Sequence, residues 1–259
     1  NHEDARPYQR GLEDALLIEE FPVEGFISRF HALFDLDDLP VEIGPVRSLR
    51  PYFIDASYPW ARILFHAGGS PEAFDHLAAF PDVTAINGLR DPKHFLRDDT
   101  LPAPHNLFLS WRAVGELVRE LRGDRSLLRT SWPPYSTGRL RSSSGALQIT
   151  LDFRNPAHDV LYTYDFFSQA YIRRNGGVVS RAQPSNVLVL EIPVESIGEF
   201  GRLTLDLQGK GRALLFRNGT VERGHWRRRD PKEGFVFEDG EGDLLVFARG
   251  QTWMIALPS

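Results

Sequence analysis

From residue 147 onward the chain is cut into short apolar runs separated by turn chemistry, and this pattern limits the fold more than any other feature. The runs cover residues 147–153, 160–166, 170–173, 187–192, 203–207, 213–216, 235–237, 244–247 and 252–256. Between them stand Asn175-Gly176-Gly177, Asn218-Gly219, Asp239-Gly240 and Arg249-Gly250. Asn-Gly and Asp-Gly adopt the positive φ angles of a type I′ turn at little steric cost, so they close tight hairpins. Many short runs with such punctuation exclude a helical bundle and predict a β-rich half, barrel or sandwich-like.

The front half reads differently. Over residues 26–34, Phe26, Ser28, Phe30, Ala32 and Phe34 share one face, while Ile27, Arg29, His31 and Leu33 share the other. Period two is the signature of a strand. The apolar run 15–21 precedes it, and residues 22–25 read as the turn between two strands. Residues 48–58 read as a short helix or irregular turn bounded by Pro51 and Pro59. Residues 61–66 read as a buried strand broken by Gly68-Gly69. Ser70 then reads as an N-cap, Pro71 as the first helical residue and Glu72 as a first-turn acid, so a helix follows to about Phe80. A second amphipathic helix is predicted over 111–121. The whole is therefore α+β: a mixed α/β domain over 1–122, a Ser/Pro/Gly/Arg-rich linker or mobile loop over 123–145, and a β-rich domain over 146–259.

Composition removes several function classes. With 42% apolar and 25% charged residues in 259, the chain can bury a core and is not a disordered segment. A net charge of −5 disfavours a nucleic-acid partner, which needs a basic footprint. The absence of cysteine removes disulfides, thiol catalysis and thiolate metal sites. No His-Glu-x-x-His or calcium-loop spacing occurs, so neither a metal nor a cofactor is expected. No apolar run spans a bilayer and no signal segment is visible. The chain opens at Asn1 and reads as a portion of a longer precursor. Lys93, Lys210 and Lys232 are the only lysines. The positive charge is thus mostly guanidinium, which suits planar recognition of carboxylate or phosphate, though codon usage or a warm habitat yields the same bias.

Three segments could carry chemistry. In His66-Ala67-Gly68-Gly69-Ser70 a strand runs through a glycine pair into a helix start, where free N–H groups could hold an anion; a tight turn with Ser70 merely as cap is the more ordinary role of such a segment. In Gly44-Pro45-Val46-Arg47-Ser48-Leu49-Arg50 two arginines three apart could fork around an anion, or pair with Glu19, Glu20 or Glu24. In Ala103-Pro104-His105-Asn106, His105 could act as acid or base with Asn106 as orienter, or both could satisfy a loop. Glu20, Glu24, Asp91 and Asp165 could supply a carboxylate pair for glycoside cleavage. Tyr162, Tyr164, Tyr171, Trp226 and Trp253 could form a sugar-stacking platform, although aromatics in a β domain are more often core. Arg227-Arg228-Arg229 reads as an exposed face or edge protection.

Taken together, these segments resemble the YerB-like family of bacterial proteins assigned as lipoproteins. The resemblance is carried by Ala5-Arg6-Pro7 with Gly11, Val23-Glu24-Gly25 with Arg29-Phe30, Gly44-Pro45-Val46-Arg47-Ser48 with Arg50, His66 with Gly68-Gly69-Ser70, and Ala103-Pro104-His105-Asn106. Tyr164-Asp165, Tyr171 with Arg173, and Gly250-Gln251-Thr252-Trp253 extend it through the back half. It implies an extracytoplasmic protein of unsettled activity, membrane-tethered through a lipidated cysteine that this chain does not contain. Relative to the family pattern, the first strand is missing, Phe26 replaces a second glycine and Leu49 replaces a small residue.

Three functions follow as expectations. The first is a binding protein whose front-domain cleft, lined by Arg29, Arg47, Ser48, Arg50, His66, Gly68, Gly69, Ser70, His105 and Asn106, takes an anionic group on a cell-envelope glycan or peptide. The second is a hydrolase of an envelope polymer using His66 or His105 with Glu24. The third is an interaction protein that docks an envelope enzyme through its β-rich half.

Overall fold

A computed structural model of the chain describes residues 1–120, 144–197 and 201–259. Its front half holds strands β1 (Leu17–Pro22), β2 (Ser28–Leu33), β3 (Glu42–Ile43), β4 (Ile63–His66), β5 (Thr84–Asn87), β6 (Phe95–Arg97) and β7 (Leu107–Ser110). Among them lie helices α1 (Pro51–Ser57), α2 (Pro71–Leu77) and α3 (Trp111–Glu120). The back half is all strand beyond short turns: β8 (Ser144–Gly145), β9 (Gln148–Leu151), β10 (Val160–Asp165), β11 (Ala170–Asn175), β12 (Val178–Val179), β13 (Asn186–Ile192), β14 (Val194–Ile197), β15 (Arg202–Leu205), β16 (Gly209–Arg217), β17 (Thr220–Arg228), β18 (Val236–Asp239) and β19 (Thr252–Pro258). The expected linker lies outside the described residues, except that Ser144 and Gly145 pair with β17.

One open sheet, ordered β18-β17-β16-β13-β19-β1-β2 with β8 against β17, runs through both halves. It does not close into a barrel. β19 lies parallel to both β1 and β13, with Trp253 opposite Ile18 and Val187. A strand covered on both faces loses apolar alternation, which is why Trp253-Met254-Ile255-Ala256 is apolar throughout. The pleat then sorts these residues into two cores. Leu17, Phe21, Leu188, Leu190, Met254 and Ala256 face the first, where they meet Tyr52, Phe53 and Ile54 of α1. Ile18, Val187, Val189, Trp253 and Ile255 face the second, covered by β9–β12 through Ile149, Leu151, Tyr162 and Tyr171. Each fully buried aliphatic or aromatic side chain stabilises by about 1.5–3 kcal/mol, so this shared sheet ties the halves together.

Several expectations are corrected. Residues 244–247 form no strand; past the Asp239-Gly240 turn the chain returns through a single bridge, Glu238 to Leu244, and a bond from Leu245 N–H to Phe237 O. β17 is a full strand where none was expected, with Gly224, Trp226 and Arg228 turned inward. Arg228 is not an exposed guard: it is 2% exposed and donates to the carbonyls of Asp55, Pro231 and Glu233. Arg227 pairs with Glu238 at 2.8 Å. Tyr162, Tyr164, Tyr171, Trp226 and Trp253 are all buried, so they are core and offer no stacking platform.

Candidate functional site

The hairpin that begins the site is tight. Val23 N–H donates to Ile27 O, and the turn between them places Gly25 at φ 65 and Phe26 at φ 56. Glycine takes that left-handed conformation freely, whereas a phenylalanine there costs about 1–2 kcal/mol. The Phe26 departure noted in the sequence therefore adds strain without changing the register, which continues Pro22–Ser28 and Phe21–Arg29.

The turn holds Glu24 beside two guanidinium groups. Arg50 Nε donates to Glu24 Oε1 at 2.6 Å, and Arg29 Nη2 lies 3.7 Å from Oε2. Arg29 also donates from Nη1 to Ser48 O at 2.7 Å; burial, then the neighbouring Arg50, pulls its pKa down to about 10. With both carboxylate oxygens engaged, Glu24 is not placed as partner to His66 or His105.

The Arg47–Leu49 stretch runs beside the segment after β4. Ala67 N–H donates to Arg47 O, Leu49 N–H to Gly68 O, and Ser70 N–H to Leu49 O. Gly68 sits at φ 70, and its N–H donates to Asn87 Oδ1. Ser70 Oγ accepts from Ala73 N–H and so caps α2. The Gly68 and Ser70 N–H groups are thus committed inside the protein and are not free to hold an anion. A Cβ on Gly69 would lie 3.3 Å from Leu49 Cβ, which explains the close strand approach. His66 Nδ1 lies 2.7 Å from Gly68 O, and burial lowers its pKa.

What remains open is a cleft of about 320 Å³ whose polar lining includes Glu24, Arg29, Arg47, Ser48 and His66, together with Asn1 and His2. Its apolar lining includes Leu33, Val46, Leu64, Leu109 and Val114. Arg47 reaches across to donate from Nη1 to Pro104 O at 3.0 Å, and burial lowers its pKa. Arg50, Gly68, Gly69 and Ser70 support the wall without lining the cleft. His105 belongs to a second recess with Glu3, Asp4, Pro7, Tyr8 and Pro102. Asn106 serves the loop, its Oδ1 accepting from Arg97 and its backbone O from Asp98 N–H.

The proposed carboxylate pair does not assemble. Glu20 is fully buried and accepts from Arg173, Ser28 and Trp253. Asp165 caps the turn at Phe167 and Ser168, and Asp91 lies 4.0 Å from His94 Nε2. Sequence reasoning missed His31, which lines the cleft with Nδ1 2.6 Å from buried Glu19 Oε2. The available signal was the two acids at the end of an apolar run.

Two family models divide the chain, the N-terminal domain of a protein of unknown function (DUF3048) over residues 1–123 and its C-terminal domain over 149–254. The chain is also 30% identical to the "Putative lipoprotein YerB" of Bacillus subtilis (strain 168) across all of its length and 79% of that protein. The crystal structure of YerB protein from Bacillus subtilis superposes with a TM-score of 0.86 at 29% identity, covering 100% of this chain and 88% of the other. The chain belongs to the two-part YerB-like family. The two family models leave residues 124–148 between them, and the N-terminal domain lends β1 and β2 to the sheet of the C-terminal one. No helix among the described residues is long and apolar enough to cross a membrane.

Proposed function

We propose that this protein is an extracytoplasmic binding protein, membrane-tethered in its full-length form, whose cleft takes an anionic group borne on a cell-envelope glycan or peptide. The name of the B. subtilis relative supports the tethered, extracytoplasmic setting. The observation that carries the binding reading is the charge balance at the cleft. Arg29 and Arg50 share the single carboxylate Glu24, while Arg47 lines the cleft with no carboxylate partner among the described residues. A half-buried guanidinium with donors to spare attracts a carboxylate or phosphate more strongly than one in bulk water.

The test is thermal unfolding of wild type and Arg47→Ala against phosphates, polycarboxylates and envelope fragments. Saturation at a hundred times Kd adds about 2.7 kcal/mol. For a chain of this size that raises Tm by roughly 5–10 °C. A rise in wild type that is lost in Arg47→Ala and weakened by salt is expected. No rise with any compound, or an equal rise in the variant, overturns the reading.

One observation favours a second reading, docking of an envelope protein through the β-rich half. Phe166 and Phe167 stand 68% and 99% exposed at the tip of the β10–β11 hairpin. Phe167→Ser should then abolish co-purification of such a partner while leaving Tm unchanged; unchanged co-purification refutes it.

A further inference from the structure

At the second recess, which Asp4 and His105 line, the N-terminal segment and the 102–105 loop bring three metal-ligating side chains together. One ring nitrogen from each of His2 and His105 and a carboxylate oxygen of Asp4 lie within 4.8 Å of one another. His105 is 7% exposed, and its Nδ1 is buried without a hydrogen-bond partner among the described residues. Its ring stacks on that of His2, with centroids 5.6 Å apart and planes at 28°. His2 Nδ1 lies 3.5 Å from Asp4 Oδ2, and these two side chains are 43% and 73% exposed. The loop reaches the recess through the cis Ala103–Pro104 peptide, and Glu3 lines the same wall.

We propose that His2, Asp4 and His105 form a divalent-cation site of the zinc class, adjoining the anion cleft that His2 also lines. Two imidazoles and one carboxylate are the donor set of a borderline ion, and three protein ligands leave a fourth position for water or another ligand. Ligand atoms around tetrahedral Zn²⁺ sit roughly 3.4 Å apart, given Zn–N bonds of about 2.0–2.1 Å. Closing the observed spread requires the His2 and Asp4 side chains to rotate toward the buried His105, with His2 Nδ1 giving up the bond of 3.3 Å that it accepts from Asp4 N–H if that nitrogen is the ligand. The guanidinium of Arg47, bonded to Pro104 O, opposes a bound cation, while Asp4 and Glu3 favour it. A buried imidazole nitrogen with no protein partner is otherwise a cost, and a metal removes that cost.

Equilibrium dialysis of the 259-residue chain against Zn²⁺, and Co²⁺ substitution followed by visible absorption, test the site. The protein should carry a blocked or extended N-terminus, because a free amine on Asn1 would chelate with His2 by itself. One ion per chain and a Co²⁺ spectrum of four-coordinate character are expected. His2→Ala and Asp4→Asn alter exposed side chains and should fold normally while weakening binding roughly tenfold or more. His105→Ala should abolish it. Binding well below one ion per chain, or binding unchanged in His2→Ala, overturns the proposal.

Discussion

Replacing Arg173 with alanine should destabilise the protein more than any surface substitution, because it strands a carboxylate in the core. Glu20 comes from β1 in the front half and Arg173 from β11 in the back half. Arg173 Nη2 donates to both Glu20 oxygens, at 2.8 and 3.1 Å, and neither residue is more than 3% exposed. Ser28 Oγ and Trp253 Nε1 complete the carboxylate, at 2.6 and 2.8 Å. The guanidinium lies 4.7 Å from the Trp253 ring centroid and 5.4 Å from that of Phe30. At an effective dielectric near 20, opposite charges at this range attract by about 4 kcal/mol. Removing one member of a buried pair costs about 3–5 kcal/mol, mostly as the desolvation of the charge left behind. For a chain of this length that is a fall in Tm of roughly 10 °C. Urea unfolding followed by tryptophan fluorescence reads it directly, since Trp253 touches both partners. The double variant Glu20→Gln/Arg173→Met removes both charges and keeps an acceptor for Trp253, so it should recover about half of the loss. If Arg173→Ala stays within about 1 kcal/mol of wild type, or if the double variant is no more stable than the single, the pair does not carry the charge balance argued here.

Two further perturbations follow. His158 accepts from Arg6 Nη2 through Nδ1 at 3.1 Å, and burial, then the Arg6 charge, pulls its pKa to about 4 from 6.5. The unfolded chain therefore takes up a proton that the folded one refuses, and stability falls as pH drops from about 6.5 toward 4. In His158→Gln, which retains an acceptor, that limb of the stability curve should flatten; a curve parallel to wild type refutes the assignment. At Gly211 an added Cβ would stand 2.4 Å from Trp226 Nε1 and 2.6 Å from Glu191 O, the two ends of one hydrogen bond. Gly211→Ala should cost about 1–3 kcal/mol in urea unfolding. Gly240→Ala, which meets no atom within 4 Å, should stay within about 0.5 kcal/mol, and equal effects at the two positions would refute the packing argument.

The sequence was legible where burial follows apolar periodicity. The alternation over residues 26–34 announces β2, Ser70-Pro71-Glu72 announces the start of α2, and Asn218-Gly219 turns β16 into β17. It failed where a buried position is polar. β17 shows Gly224, Trp226 and Arg228 to the core, and no alternation scale reads that as a strand face. Arg228 is solvated there by carbonyls, one of them on Asp55, far back along the chain. Glu20 sits in an apolar run for the same reason, its partners lying on β2, β11 and β19. The site was half legible. Arg29, Arg47, Ser48 and His66 do meet at one cleft, but the Gly68 and Ser70 donors are spent on Asn87 and Leu49, contacts that short-range chemistry does not reveal.

The distribution of guanidinium partners separates structural from functional charge. Arg10 is held by Glu42 and Asp98, Arg62 by Asp82, Arg173 by Glu20, Arg217 by Glu222 and Arg227 by Glu238. Arg228, which lacks a carboxylate, compensates with three carbonyls. Arg29 and Arg50 divide one carboxylate between them. Arg47 lines the cleft with one carbonyl bond and no acid among the described residues. Arg6, like Arg228, meets carbonyls and no acid, but it does not line the cleft; Arg47 alone of these lines the cleft without an acid, and under the function proposed above an incoming anion would supply the missing partner.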